Sequence, residues 1–347
     1  MRSATLLLLL AVTQASAQYS ATRTMIDGVE IIRLEDAAHH TSVSVAPSIG
    51  NIAYEMKVNG QNVLHFPYAS VAAFRDKPKM CGIPLLAPWA DRLDEAAFYA
   101  NGRKYSFNRS LGNVHFDGAG HPIHGFLTLT PDWEVTGLEA NAREARVKSR
   151  LDVSRRPEWM AQFPFAHVVE MTYTLRDGTL EVNTRVENKS LEAMPLAIGY
   201  HSFFQISDAP RQAWTAGLGA AREWPVNSEL LPTGHTRPLS ELISNPADFP
   251  LAKRDFDNGF DELIRDQTGR ATFWVKGQRQ KIEVMFGPKF ITGEIYSPAN
   301  SNFICFEPMT AINNGLNLAH RGVYKELQSI APGQFWQESF WVRPSGY

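Results

Sequence analysis

The strongest constraint in this chain is a period of two. From Val168 to Leu175 the sequence reads V-V-E-M-T-Y-T-L, which puts Val169, Met171, Tyr173 and Leu175 on one side. Arg176-Asp177-Gly178-Thr179 then supplies a turn, and Leu180, Val182, Thr184 and Val186 resume the alternation. Asp-Gly tolerates the positive φ of a tight turn, so the pair reads as a hairpin. Similar turn pairs stand at Asn59-Gly60, Asn101-Gly102 and Lys276-Gly277, each beside a short apolar run. Helical periodicity is scarce. Residues 156–163 have room for a turn or two, and 238–246 for another. Many short strands between turn signals predict an all-β fold, a large antiparallel β-sandwich. No internal repeat, low-complexity linker or break in composition divides residues 18–347, which are expected to form one domain.

Residues 1–17 join one basic residue, Arg2, to an apolar run from Leu6 to Val12 and the small triplet Ala15-Ser16-Ala17. That is the layout of a secretory signal peptide cut after Ala17. The run falls well short of the roughly 20 apolar residues of a membrane-spanning helix. The expectation is an exported protein, periplasmic or extracellular, free of the membrane once the signal is removed. Losing Arg2 takes the formal charge from -2 to -3. Such a balance lacks the basic footprint that nucleic acid or an anionic membrane surface requires. Cys81 and Cys305 are the only cysteines. Export permits a disulfide, but a chain of this size needs no staple, and two free, buried thiols are expected. Oligomeric state is left open.

Titratable residues inside apolar, strand-like sequence are costly to bury unless paired or used. In Phe303-Ile304-Cys305-Phe306-Glu307-Pro308, Phe303, Cys305 and Glu307 share a face, and Pro308 denies the ladder a donor. Burial there would raise Glu307 from about 4.3 towards the range of a general base. A salt-bridged strand-end acid is the plainer alternative. His201, in Ile198-Gly199-Tyr200-His201-Ser202-Phe203, follows an apolar run and precedes aromatics. An imidazole titrating near 6.5 can protonate an ether oxygen, or it can be a core histidine bonded to a carbonyl. His121 and His124 lie three apart, but Pro122 and Gly125 keep them off a common helical face, and no nearby cysteine or carboxylate completes a zinc set. No metal and no cofactor is expected. Arg92 ends a proline-bounded segment, where its guanidinium can hold sugar hydroxyls or pair with Asp91 or Asp94. Asp257, between Phe256 and Phe260, can accept hydroxyl protons or form an Asx turn.

The order of these segments along the chain, with Gly-Tyr-His and Cys-Phe-Glu-Pro-Met as the specific parts, resembles the aldose 1-epimerase (galactose mutarotase) family. The likeness runs from about Val43 to Val342 and includes the turn Ala331-Pro332-Gly333. It implies the supersandwich form of the β-sandwich with an open sugar cleft, and a cofactor-independent isomerase acting on a free aldohexose such as glucose or galactose. By motif, Glu307 resembles the general base and His201 the general acid, while His124, Arg92 and Asp257 match sugar-binding positions. Tyr296 falls near the cleft. Departures from the family pattern are Asp91 in place of asparagine, Phe126 in place of glycine and Ser202 in place of proline, which mark a divergent branch.

Three other readings stay open at this level. A hexose-6-phosphate epimerase would want several Arg or Lys residues at a phosphate subsite, and only Arg92 stands in a motif. A non-catalytic carbohydrate-binding protein could share the scaffold, since fold alone never proves activity. A glycoside hydrolase needs a second cleft carboxylate, and Asp257 is the candidate.

Overall fold

A computed structural model describes residues 17–347. The expected signal peptide thus lies outside the described residues, its last position excepted. The hairpin read from the sequence forms as expected: His167–Arg176 pairs with Thr179–Asn188, Arg176 opposite Thr179. Asp177 and Gly178 hold φ of 49° and 66°. Val169, Met171, Tyr173 and Leu175 face inward with Leu180, Val182 and Val186. Thr184 shares that face and spends its hydroxyl on the Tyr200 phenol, so no polar atom is left idle there.

The chain is almost all β, in several antiparallel sheets. Nine strands make one sheet, in which Phe335–Ser345 joins the hairpin on one side to Lys281–Phe286 on the other. Eight make a second, ordered through Ala220–Trp224, Phe256–Leu263, Thr292–Ser297, Ile304–Met309 and Gly199–Tyr200. The two pack face to face. Phe273 of the first meets Phe260 and Phe306 of the second, and Phe340 meets Tyr200. A five-stranded meander over residues 19–62 leans on the end of the nine-stranded sheet, where the Gly178 N–H donates to Asp36.

The helices are short. Pro157–Met160 lies within the window expected from the sequence, and 238–246 yields only a 3₁₀ turn at Leu239–Glu241. Val71–Asp76, capped by Ser70, and Gly315–His320 carry too few turns to show a 3.6-residue period, so the sequence gives no sign of them. Cys81 and Cys305 are both buried and free. No helix among the described residues is long and apolar enough to cross a membrane.

What matters for function is the face of the eight-stranded sheet turned away from the core. Along Ile304–Met309 the pleat sends Ile304 and Phe306 into the sandwich and Cys305 and Glu307 to the opposite side.

Candidate active site

Glu307 and His201 meet because of strand register. Gly199 lies opposite Met309 and Ser202 opposite Phe306, so the intervening count sets His201 across from Glu307. The ladder opens there, since Pro308 has no N–H and the His201 N–H donates to the Pro84 carbonyl instead. The result is a contact of 3.5 Å between His201 Nε2 and Glu307 Oε1. Both side chains are buried. The His201 ring stacks on Phe203 at 4.5 Å, which fixes its plane.

A second group comes from two loops that clasp each other. The Asp91 N–H donates to His124 Nδ1 at 3.2 Å, and the His124 N–H donates to the Asp91 carbonyl at 2.9 Å. Both residues sit at positive φ, 57° and 62°. Gly125 makes the clasp possible, since a Cβ there would lie 2.1 Å from the Ala87 carbonyl oxygen. With Nδ1 accepting, the His124 proton sits on Nε2. Arg92 is gripped by three carboxylates: Asp91 at 3.1 Å, Asp117 at 3.1 Å and Asp257 at 3.4 Å. The sequence offered Asp91 or Asp94 as its ion partner. Asp94 instead bonds Arg321 and Asn317.

All five residues singled out in the sequence, Glu307, His201, His124, Arg92 and Asp257, line one cleft of about 450 Å³. His121 is not among them; its Nε2 faces Glu229. Sequence reasoning gave Asp91 only a pairing with Arg92, and no role to Glu294, His65, Phe203 or Phe303; all five also line the cleft. Glu294 lies in Thr292-Gly293-Glu294-Ile295-Tyr296-Ser297, a mixed run without the apolar context that marks Glu307. The two stand directly opposite on neighbouring strands. Tyr296 lines the cleft too, its ring 5.5 Å from His201.

Burial sets the electrostatics. It pushes the Glu307 carboxyl well above the usual range, with Asp91 and Asp257 adding to the effect and Arg92 opposing it. It pulls His201 down to about 3, and Arg92 pulls the same way. His124 is held well below the ordinary imidazole range by burial, then by His201 and Arg92. Asp257 rises to about 6 through burial and Asp91, against Arg92. Glu307 therefore moves as the sequence suggested, and His201 moves the other way. The expected ionised carboxylate beside a protonated imidazole is reversed, because desolvation penalises both charges at once. The pair holds one proton, and burial favours it on the carboxyl.

Among the described residues, His201, Cys305 and Glu307 form a group that could hold a metal, with donor atoms within 4.8 Å of one another. What the pair can do without one is exchange a proton with two oxygens bonded to the same carbon.

A large antiparallel sandwich bearing an acid–imidazole cleft on one sheet is the class of protein that fold and site define. The family model described as aldose 1-epimerase matches residues 30–343, and the chain belongs to that family. It is 25% identical over 258 residues to the Escherichia coli (strain K12) protein YphB, covering 72% of this chain and 79% of that one. The fold is similar to a galactose mutarotase-like protein from Clostridium acetobutylicum, with a TM-score of 0.82 and 21% identity over 95% of this chain and 99% of the other. A galactose 1-epimerase from Lactobacillus acidophilus NCFM has a TM-score of 0.73 at 11% identity, covering 96% and 100%. At those identities the two structures speak to fold alone.

Proposed function

We propose that this chain interconverts the α and β anomers of a free aldohexose such as glucose or galactose. The observation that carries the reading is the 3.5 Å contact between His201 and Glu307 in a sugar-sized cleft. A sugar hydroxyl donating to Glu307, with Arg92 close by, stabilises the carboxylate and leaves the proton on His201. Glu307 then takes the proton of the anomeric hydroxyl while His201 gives its own to the ring oxygen. The C1–O5 bond breaks, the aldehyde forms, rotation about C1–C2 presents the other face, and the two transfers run backwards. Ring opening turns a buried ion pair into a neutral acid and a neutral imidazole, which is the state that desolvation favours. Each transfer is typically worth about 10²–10⁴-fold in rate.

His124, Arg92 and Asp257 hold the hydroxyls, His124 as an Nε2–H donor and Asp257 as an acceptor. Engagement of Arg92 by three carboxylates supports a free over a phosphorylated sugar, because little of its fork is left for a phosphate. Polarimetry on fresh α-glucose and α-galactose tests the assignment. Glu307→Gln should lower kcat by about 10²–10⁴-fold; a variant with full kcat removes the base from the mechanism.

Export is proposed from residues 1–17 alone. Mass spectrometry of protein expressed with its natural start should find Gln18 first, and an intact Met1 form in the cytoplasm would overturn it.

A further inference from the structure

The cleft holds more acid than proton transfer between two oxygens needs. Asp91, Asp257, Glu294 and Glu307 all line it, against the half-buried Arg92; Lys79 stands at the rim, exposed. Burial, and next the neighbouring Asp91 carboxyl, push the Glu294 carboxyl well above the usual range. Glu294 is 5% exposed. Among the described residues no N–H, O–H or cation of the protein reaches it. Asp91, 4% exposed, gives one oxygen to Arg92, and its other oxygen has no protein donor. Gly259, opposite Glu294 in the sheet, leaves space beside Glu294 Oε1, since even a Cβ there would lie 3.5 Å away.

Glu294 thus brings to the cleft acceptor capacity that the protein does not fill, with the buried Asp91 carboxyl beside it. A hydroxyl brings one donor and no charge. An ammonium brings three donors, no acceptor and the positive charge that lets both acids ionise. Glu294 stands beside Glu307, with Cβ atoms about 4.5–5.5 Å apart across the ladder. Neighbouring carboxyls on one sheet face reach neighbouring positions of one sugar, so with Glu307 at the anomeric hydroxyl, Glu294 falls to the substituent on the next carbon. We propose that Asp91 and Glu294 form a specificity site for an amino group at that carbon, so that the preferred substrates are 2-amino-2-deoxy aldoses. The inference rests on the sugar-anomerase reading above and names its substrate class.

The test compares galactosamine and glucosamine with their N-acetyl forms and with galactose and glucose. Assays run at about pH 6.5, below the ~7.7–8.0 of an amine beside an electron-withdrawing carbon. Anomerisation is followed by polarimetry with the uncatalysed rate subtracted, and binding by titration calorimetry. Charge-assisted hydrogen bonds are roughly twice as strong as neutral ones, so the amino sugars should lead by about ten-fold in kcat/KM and in affinity. In Asp91→Asn/Glu294→Gln that ratio should fall towards one, a change that a general loss of folding cannot produce; Glu294→Gln alone should lower it in part and serves if the double variant does not fold. Equal handling of amino and neutral sugars overturns the proposal, as does a ratio unmoved by the substitutions. Tight amino-sugar binding without faster anomerisation would keep the site and overturn the catalytic reading. Fast anomerisation without amino preference would do the reverse.

Discussion

Replacing His201 by asparagine should separate what the imidazole does for catalysis from what it does to stability. The ring is buried, and burial pulls its pKa from 6.5 to about 3. Below about 6.5 the unfolded chain takes up a proton here and the native chain does not, so stability falls as pH drops through that interval and is whole above it. At pH 5 the gap to the unfolded value is about 1.5 units, or roughly 2 kcal/mol at ~1.36 kcal/mol per unit. His201→Asn has no such proton to refuse. Urea unfolding of both proteins at about pH 7.5 and about pH 5 should show wild type losing ~2 kcal/mol more than the variant over that range. His167, pulled to about 4 by its own burial, contributes equally to both proteins and cancels. The same variant should lose about 10²–10⁴-fold in kcat, with a smaller change in KM. Two outcomes would refute the reasoning: parallel acid losses in the two proteins would mean that His201 titrates like a solvated imidazole, and an unimpaired kcat would remove it from the proton transfer.

Two further outcomes follow from the packing. Gly125→Ala should lower Tm and raise KM. The left-handed backbone alone costs of order 1–3 kcal/mol for a residue with a Cβ, and the Ala87 carbonyl then blocks the clasp that orients His124; unchanged thermal unfolding would show that the loop has another way to close. Cys81, pushed up to about 12 by burial, and Cys305, also raised well above the ordinary thiol range by burial, should resist Ellman's reagent in the native protein and both react in denaturant, whereas a fast native thiol would contradict their burial.

Much of the fold was legible because alternation is written locally. Several hairpin turns carry their own Asp-Gly or Asn-Gly signal, and Val169 to Leu175 declare their inward face without reference to any distant segment. Short helices such as Gly315–His320 were not legible, since their stability comes from packing rather than from a repeated period. In the site, Glu307 and His201 stood out as titratable groups in apolar surroundings. Glu294 bore no such mark, since the residues just before it, Thr292 and Gly293, are polar and small.

By itself the sequence determined which segments are strands, where they turn, and which side chains are able to trade protons. Tertiary structure alone decided that Gly199 and Ser202 align with Met309 and Phe306, and hence that an imidazole from one strand faces a carboxyl from another. It also decided that three acids share Arg92, that Asp91 meets Glu294, and that the His201 pKa falls below its ordinary value. Alternation depends on neighbours in the chain, so a reader of the chain can see it. Register, desolvation and Coulomb partners depend on neighbours in space, and these exist only once the sheets have closed on each other.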